Sequence, residues 1–284
     1  MPRPRLALPS AVLAAAALCH PAVRPAGPVP PAVRPAMEET VTVTVEADLD
    51  AVLAEAVAPV LAGSGASLSV AVLDLETGRS ASYGGEGRTY DTASVVKLDV
   101  LVALLLRAQD EGRGLTPAER TAAAAMIRHS DNTSTTALWQ VIGGAHGLDT
   151  ANARLGLSGT TGATAWGLTQ TTAADRLVLL DAVFGTDSPL AEDSRTYITG
   201  LMEGVVTDQA WGVSAAGGDP AVKNGWLPRD ATGLWDVNSV GRVTAGGRVC
   251  LVAVLSDGHV TKDTGVAYVE RAARAAVSAV GAAL

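Results

Sequence analysis

The chain has 284 residues with a net charge of −8, 48% of them hydrophobic and 18% charged. This composition supports a buried core and excludes a disordered polymer, and the acidic balance without a basic stripe excludes a nucleic-acid partner. The histidines His20, His129, His146 and His259 stand far apart and no Cys/His cluster has metal-ligand spacing, so no metal and no other cofactor is expected.

Residues 1–26 read as an export signal. Arg3 and Arg5 give a positive start, and Leu6 to Cys19 is an apolar run broken only by Pro9 and Ser10. A run of that length matches a signal core and falls short of the ~20 residues that span a bilayer. The protein is therefore expected to be secreted or extracytoplasmic. A lipid anchor at Cys19 is disfavoured, because the bulky Leu18 precedes it. Residues 27–47 read as a proline-rich linker, with six prolines between Pro21 and Pro35 favouring an extended spacer. The remaining cysteine, Cys250, lies in the apolar run Val249 to Leu255 and reads as a small buried hydrophobe.

The body, residues 48–284, opens with a helix over Asp48 to Leu61, apolar at helical spacing and capped by Asp48. A strand from Ser67 to Leu75 turns at Thr77-Gly78 into a second strand ending at Tyr83. Val95 to Leu106 is apolar nearly all round, as a central buried helix should be, with Asp91 and Thr92 placed to cap it. Helical patterning continues to about Phe184. Val237 to Thr244 and Arg248 to Leu255 flank Gly246-Gly247 as a hairpin, and a helix through Val266, Val269, Ala272, Ala276 and Val280 closes the chain. The expected fold class is α+β: an antiparallel sheet carrying both terminal helices on one face, plus a helical subdomain.

Chemistry is concentrated in three short motifs: Ser94-Val95-Val96-Lys97, Ser130-Asp131-Asn132 and Lys223-Asn224-Gly225. The chain has three lysines against eighteen arginines, and two of the three lysines, Lys97 and Lys223, lie in these motifs. Lysine can exchange a proton near neutral pH and arginine cannot. Ser94 falls at a helix start, where free N–H groups favour developing negative charge. Lys97 at i+3 reaches its hydroxyl, and burial beside a second cation, Lys223, would lower the amine's pKa enough for it to act as a base. Ser130 can relay a proton to a leaving nitrogen, and Asn132 is suited to gripping a substrate amide. Lys223-Asn224-Gly225 reads as a strand edge along which substrate can lie, with the N–H groups of Ser94 and Trp226 forming an oxyanion hole.

These residues resemble the Ser-x-x-Lys, Ser-Asp-Asn and Lys-Thr-Gly set of class A β-lactamases and penicillin-binding proteins. The resemblance spans roughly Asp48 to Leu284. It includes Val70-Ala71-Val72-Leu73-Asp74 with Thr77-Gly78 and Thr171-Thr172-Ala173-Ala174. It implies a Ser94 acyl-enzyme with small β-lactam or D-alanyl-type substrates, proton transfer by Lys97 and Ser130, and a substrate carboxylate at Lys223, in a chain expected to act as a monomer. Three departures stand out. Ser94 and Ser130 are only 36 residues apart, so a rim segment is expected to be absent. The glutamate that activates the deacylating water in the family has no counterpart, Asp149 being the only acid between Thr133 and Thr172. Asn224 replaces the motif threonine beside the substrate carboxylate.

Elsewhere the structural readings prevail. His129 reads as a cap or surface residue, Asp131 as a structural one and Arg229 as a solvated turn arginine, while Trp166 serves equally as a pocket wall or a loop anchor. The reading is an exported serine hydrolase of class A β-lactamase type with slow deacylation. A D-alanyl-D-alanine peptidase or esterase, and a penicillin-binding module with little turnover, are the alternatives.

Overall fold

A computed structural model describes Gly27 and residues 47–284. The export signal, Cys19 and all of the linker except Gly27 and Ala47 lie outside the described residues. Helix α1 (Leu49–Leu61) begins at Asp48, whose carboxylate accepts a hydrogen bond from the Ala51 amide at 3.2 Å. Strands β1 (Ser67–Asp74) and β2 (Ser80–Tyr83) follow as the expected hairpin, and the short strand β3 (Tyr90–Asp91) leads into α2 (Val96–Asp110). Residues 111–116 connect α2 to α3 (Pro117–Arg128), and α4 (Asn132–Ile142) and α5 (Gly144–Leu155) complete the first helical group. A two-residue strand, β4 (Gln170–Thr171), precedes α6 (Ala173–Phe184) and α7 (Glu192–Glu203). The chain then enters β5 (Gly218–Pro228), β6 (Trp235–Ala245), β7 (Arg248–Asp257) and α8 (Lys262–Ala283).

The five long strands form one antiparallel sheet in the order β2-β1-β7-β6-β5. Gly246 and Gly247, at φ 58° and 81°, supply the two left-handed residues that the tight β6–β7 turn requires. Strand alternation gives the sheet two faces. Val70, Val72, Val252 and Val254 pack with Leu53, Val269 and Ala276 of the terminal helices. Ala71, Leu251 and Ala253 face the helical layer instead. The α+β plan with both terminal helices on one face is therefore the observed fold. Among the described residues, no helix is long and apolar enough to cross a membrane. The helical layer extends beyond the expected Phe184 to include α7.

Helix α2 is the axis of that layer, with Leu98, Leu101 and Leu104 wholly buried. Burying each such side chain contributes roughly 1.5–3 kcal/mol. One charge pair lies inside this apolar surround: Arg176 of α6 donates to Asp99 of α2 at 2.5 Å, with side-chain exposures of 0% and 1%. Asp99 is two residues beyond Lys97, so the pair ties α2 to α6. A buried pair adds little net stability over apolar replacements, but removing one partner leaves a charge stranded. Arg176→Leu is expected to destabilise the protein by about 3–5 kcal/mol, and the Asp99→Leu/Arg176→Leu double variant to recover most of that loss. Denaturant unfolding of the two variants checks both values.

Burial also marks His259, whose Nε2 lies 2.9 Å from Ser256 Oγ and whose pKa is held below 6.5 by desolvation. The native state keeps this ring neutral, while the unfolded chain takes up a proton as the pH falls through 6.5. Its contribution is thus fully present above that pH and is lost as the pH falls toward the folded-state value. Melting temperature measured between pH 7.5 and 5 should fall less steeply for His259→Gln than for the parent chain.

Candidate active site

Ser94 lies in a 3-10 turn, Ala93–Val95, at the entrance to α2. Ala93 has φ 47°, a left-handed conformation that costs a residue with a Cβ roughly 1–3 kcal/mol. Neighbouring elements hold the turn in place. Asn238 of β6 donates through Nδ2 to the carbonyls of Asp91 and Thr92 at 2.8 and 3.2 Å, and the Thr92 amide donates to the Thr169 carbonyl at 2.8 Å. The expected side-chain caps are not made. The Thr92 hydroxyl has no partner, and the Asp91 carboxylate pairs with Arg229 and Gln170. Arg229 in turn donates to Asp236 at 2.6 Å, so it is an ion-paired tie between β3 and the β5–β6 turn, not a solvated arginine.

Lys97, one turn after Ser94, is wholly buried and meets four oxygens. Its Nζ lies 2.7 Å from Ser94 Oγ, 2.8 Å from the Ser130 carbonyl, 3.0 Å from Ser130 Oγ and 2.7 Å from Asn132 Oδ1. The Ser130 carbonyl and Asn132 Oδ1 can only accept. A neutral amine satisfies both with its two N–H groups and leaves its lone pair for the Ser94 hydroxyl proton. Burial pulls the Lys97 pKa down to about 8, against the upward pull of Asp131.

Ser130 stands at the α3–α4 junction with φ 55°, the second left-handed residue at the site. His129 is the exposed C-cap of α3, and Asp131 caps α4 by accepting from the Ser134 amide at 2.6 Å. Both residues therefore terminate helices, as their sequence suggested. Asn132 spends its oxygen on Lys97, which leaves its NH₂ free toward the cleft it lines.

From the opposite side, Lys223 reaches over from β5, the edge strand of the sheet. Its buried amine donates to Ser130 Oγ at 3.0 Å and to the Asn224 carbonyl at 2.8 Å. Desolvation, reinforced by the charge of Lys97, lowers its pKa well below 10.5. Gly225 packs so closely that a Cβ there would lie 2.6 Å from the Ser94 amide nitrogen. Trp226 lines the cleft, tilted against Trp211 at 6.0 Å, with Lys262 Nζ 3.7 Å from its ring centre.

Asn224 differs from expectation. Its Nδ2 donates to the carbonyls of Gln209 and Trp211 at 2.7 and 2.9 Å, and its Oδ1 accepts from Ser239 Oγ at 2.6 Å. It is 1% exposed. Alternation along β5 sends Lys223 and Gly225 toward Ser94 and Asn224 to the other face, so this amide braces the preceding loop and is not presented to a ligand.

The cleft holds about 410 Å³ and is lined by residues including Ser94, Asn132, Trp166, Leu168 and Trp226, with no carboxylate among its lining residues. Two acids of the segment that follows α4 and runs into α6 hold loop groups. Asp149 accepts from the Gly162 amide at 2.7 Å, and Asp175 accepts from the Gly159 amide and the Thr160 hydroxyl. Trp166 is both wall and anchor: its ring lines the cleft, and its Nε1 donates to Thr136 at 3.3 Å. The brace at Asn238 has no sequence signal, since nothing in a strand sequence marks one asparagine as reaching a distant turn.

The model of the Beta-lactamase enzyme family matches residues 112–280, more than half of the chain. The chain belongs to this family. No curated protein sequence matches significantly. Among solved structures, a class A β-lactamase from Bacteroides cellulosilyticus DSM 14838 superposes with a TM-score of 0.71 at 16% identity, covering 82% of this chain and 99% of its own. PBP-A gives a TM-score of 0.70 at 22% identity, covering 84% of this chain and 98% of its own. The TLA-1 extended-spectrum β-lactamase gives 0.72 at 17% identity, with coverages of 81% and 98%. These similarities show a class A β-lactamase fold, and family and fold together make the protein a serine hydrolase of class A β-lactamase type.

Two substitutions separate the lysines. Lys97→Arg is expected to lower the acylation rate by on the order of 10²–10⁴, the value of a general base. Lys223→Arg keeps a cation and should act mainly on apparent substrate affinity. In the parent chain, acylation should rise with pH and level off above about 8, where Lys97 becomes neutral. Pre-steady-state acylation measured across pH checks all three. Gly225→Ala forces a methyl against the Ser94 amide and should suppress acylation even in variant protein that remains folded by circular dichroism.

Proposed function

We propose that Ser94 is the nucleophile of an exported acyl-enzyme hydrolase that accepts β-lactam-type substrates and is acylated faster than it is deacylated. Residues 48–284 form the hydrolase domain, and the export assignment rests on the sequence of residues 1–26. The observation that carries the reading is the Lys97 amine, 2.7 Å from Ser94 Oγ and occupied on its other sides by acceptors. Lys97 takes the Ser94 proton as Oγ attacks the substrate carbonyl. The N–H groups of Ser94 and Trp226 hold the oxyanion. Ser130, hydrogen-bonded to both lysines, passes a proton to the departing nitrogen. Asn132 holds the substrate amide through its free NH₂, and Lys223 draws the anionic end of the substrate along the edge of β5.

Hydrolysis of the resulting ester needs an activated water. No carboxylate lines the cleft, and general-base assistance is worth on the order of 10²–10⁴ in rate. The same absence favours a second reading, a D-alanyl-D-alanine peptidase or esterase on this scaffold. PBP-A, similar in fold, has been solved as a variant in an acyl-enzyme complex with penicillin G.

Intact-mass measurement after incubation with benzylpenicillin should show one adduct, absent in Ser94→Ala. An adduct retained by that variant would remove Ser94 from the role. Stopped-flow hydrolysis of a chromogenic cephalosporin should show a stoichiometric burst and a slow steady state. Rapid multiple turnover without accumulated adduct would reject slow deacylation. A D-alanyl thioester turned over faster than the cephalosporin would select the second reading.

A further inference from the structure

The Trp166 ring centre lies 4.9 Å from the Lys97 Nζ, whose hydrogen-bonding neighbours are the oxygens of Ser94, Ser130 and Asn132. We infer that Trp166 is a fixed aromatic cover over Lys97 that keeps hydrolytic water from the Ser94 ester, and so sets the lifetime of the acyl-enzyme. The inference rests on the acyl-enzyme reading above.

The cover is held rigidly. Trp166 opens a 3-10 turn, Trp166–Leu168, whose carbonyl at Trp166 accepts from the Thr169 amide at 3.2 Å. The segment returns through Thr169, which accepts from the Thr92 amide just before Ser94, and through the β3–β4 pair Tyr90↔Thr171 and Asp91↔Gln170. On the other flank, Thr161 pairs with Gln170, and Asp149 and Asp175 hold the amides of Gly162 and Gly159. The Trp166 ring also packs against the apolar cluster around α2. A loop tied at so many points places its tryptophan as reproducibly as a helix would.

The chemistry follows from the amine's full coordination. To cleave the ester, a water oxygen must add to the acyl carbon and lose a proton. The bond between that carbon and Ser94 Oγ then breaks, and the proton returns to Oγ, giving free Ser94 and a carboxylic acid. Lys97 is the base in reach of Ser94, and Ser130 and Asn132 already hydrogen-bond it. A water approaching Lys97 from the loop side meets the indole face. Acylation escapes this barrier, because its proton donor, Ser94 Oγ, is already in contact with the amine.

The test separates the two half-reactions. Acylation and adduct decay are measured by intact mass and stopped flow with the chromogenic cephalosporin for Trp166→Ala, Trp166→Leu and the parent chain. Trp166→Ala should raise the ratio of the adduct-decay rate to the acylation rate at least about tenfold, a ratio in which any change in Lys97 basicity common to both steps cancels. Trp166→Leu, which keeps an apolar cover, should show a ratio near that of the parent. Should the alanine variant unfold, Trp166→Val reads the same direction with a smaller increase. Loss of packing alone does not accelerate one step selectively. A ratio unchanged or lowered in a folded, acylating alanine variant would overturn the inference. A parent chain that accumulates no adduct would instead overturn the underlying reading, whatever the variants do.

Discussion

The structure turns on the coordination of one amine. Lys97 is enclosed where a lysine charge is poorly solvated, and its pKa is lowered to about 8 for that reason. Its neighbours include two obligate acceptors and two hydroxyls, a set that a neutral amine satisfies while still facing Ser94 with a lone pair. The surrounding elements supply that set from two separate places in the chain, the entrance of α2 and the α3–α4 junction, and Lys223 of the edge strand β5 holds the Ser130 hydroxyl from the other side. Displacing any of them would leave either a buried donor without an acceptor or a charge without a partner.

Backbone strain is concentrated at the same place. Three described non-glycine residues have positive φ, and two of them, Ala93 and Ser130, flank the lysine. Such conformations persist only where the surroundings over-determine them. Here the surroundings are the Asn238 brace and the β3–β4 contact beside Ala93, and the two lysine amines on Ser130. The helical layer and the sheet thus act together as a clamp on a strained junction.

Water is the other constraint. Asp149 and Asp175 are engaged with backbone amides, and an aromatic ring stands against Lys97. The site is rich in features that transfer a proton from serine and poor in features that bring water to an ester. On the reading proposed above, the two half-reactions are unequal because serine is delivered by the fold and water must arrive from solvent.

The three motifs and the apolar run of α2 were legible in the sequence because they depend on short spacing: i+3 along a helix, and alternation along a strand. The Asp48 cap, the hairpin at Gly246-Gly247 and the sheet with helices on one face were legible for the same local reason. The family resemblance implied Asn224 as a substrate contact, whereas in the folded chain its side-chain amide is bonded to the Gln209 and Trp211 carbonyls. Arg229 looked like a turn residue until folding brought Asp91 and Asp236 beside it. The placement of Trp166 over Lys97 joins residues separated by most of the helical layer, and no local pattern encodes that distance. The sequence by itself determined which chemical groups are present and how each element is patterned. Which of them meet in one small volume, and which are consumed as braces, was decided only by the packing of distant segments, because burial and hydrogen-bond satisfaction are properties of the assembled core.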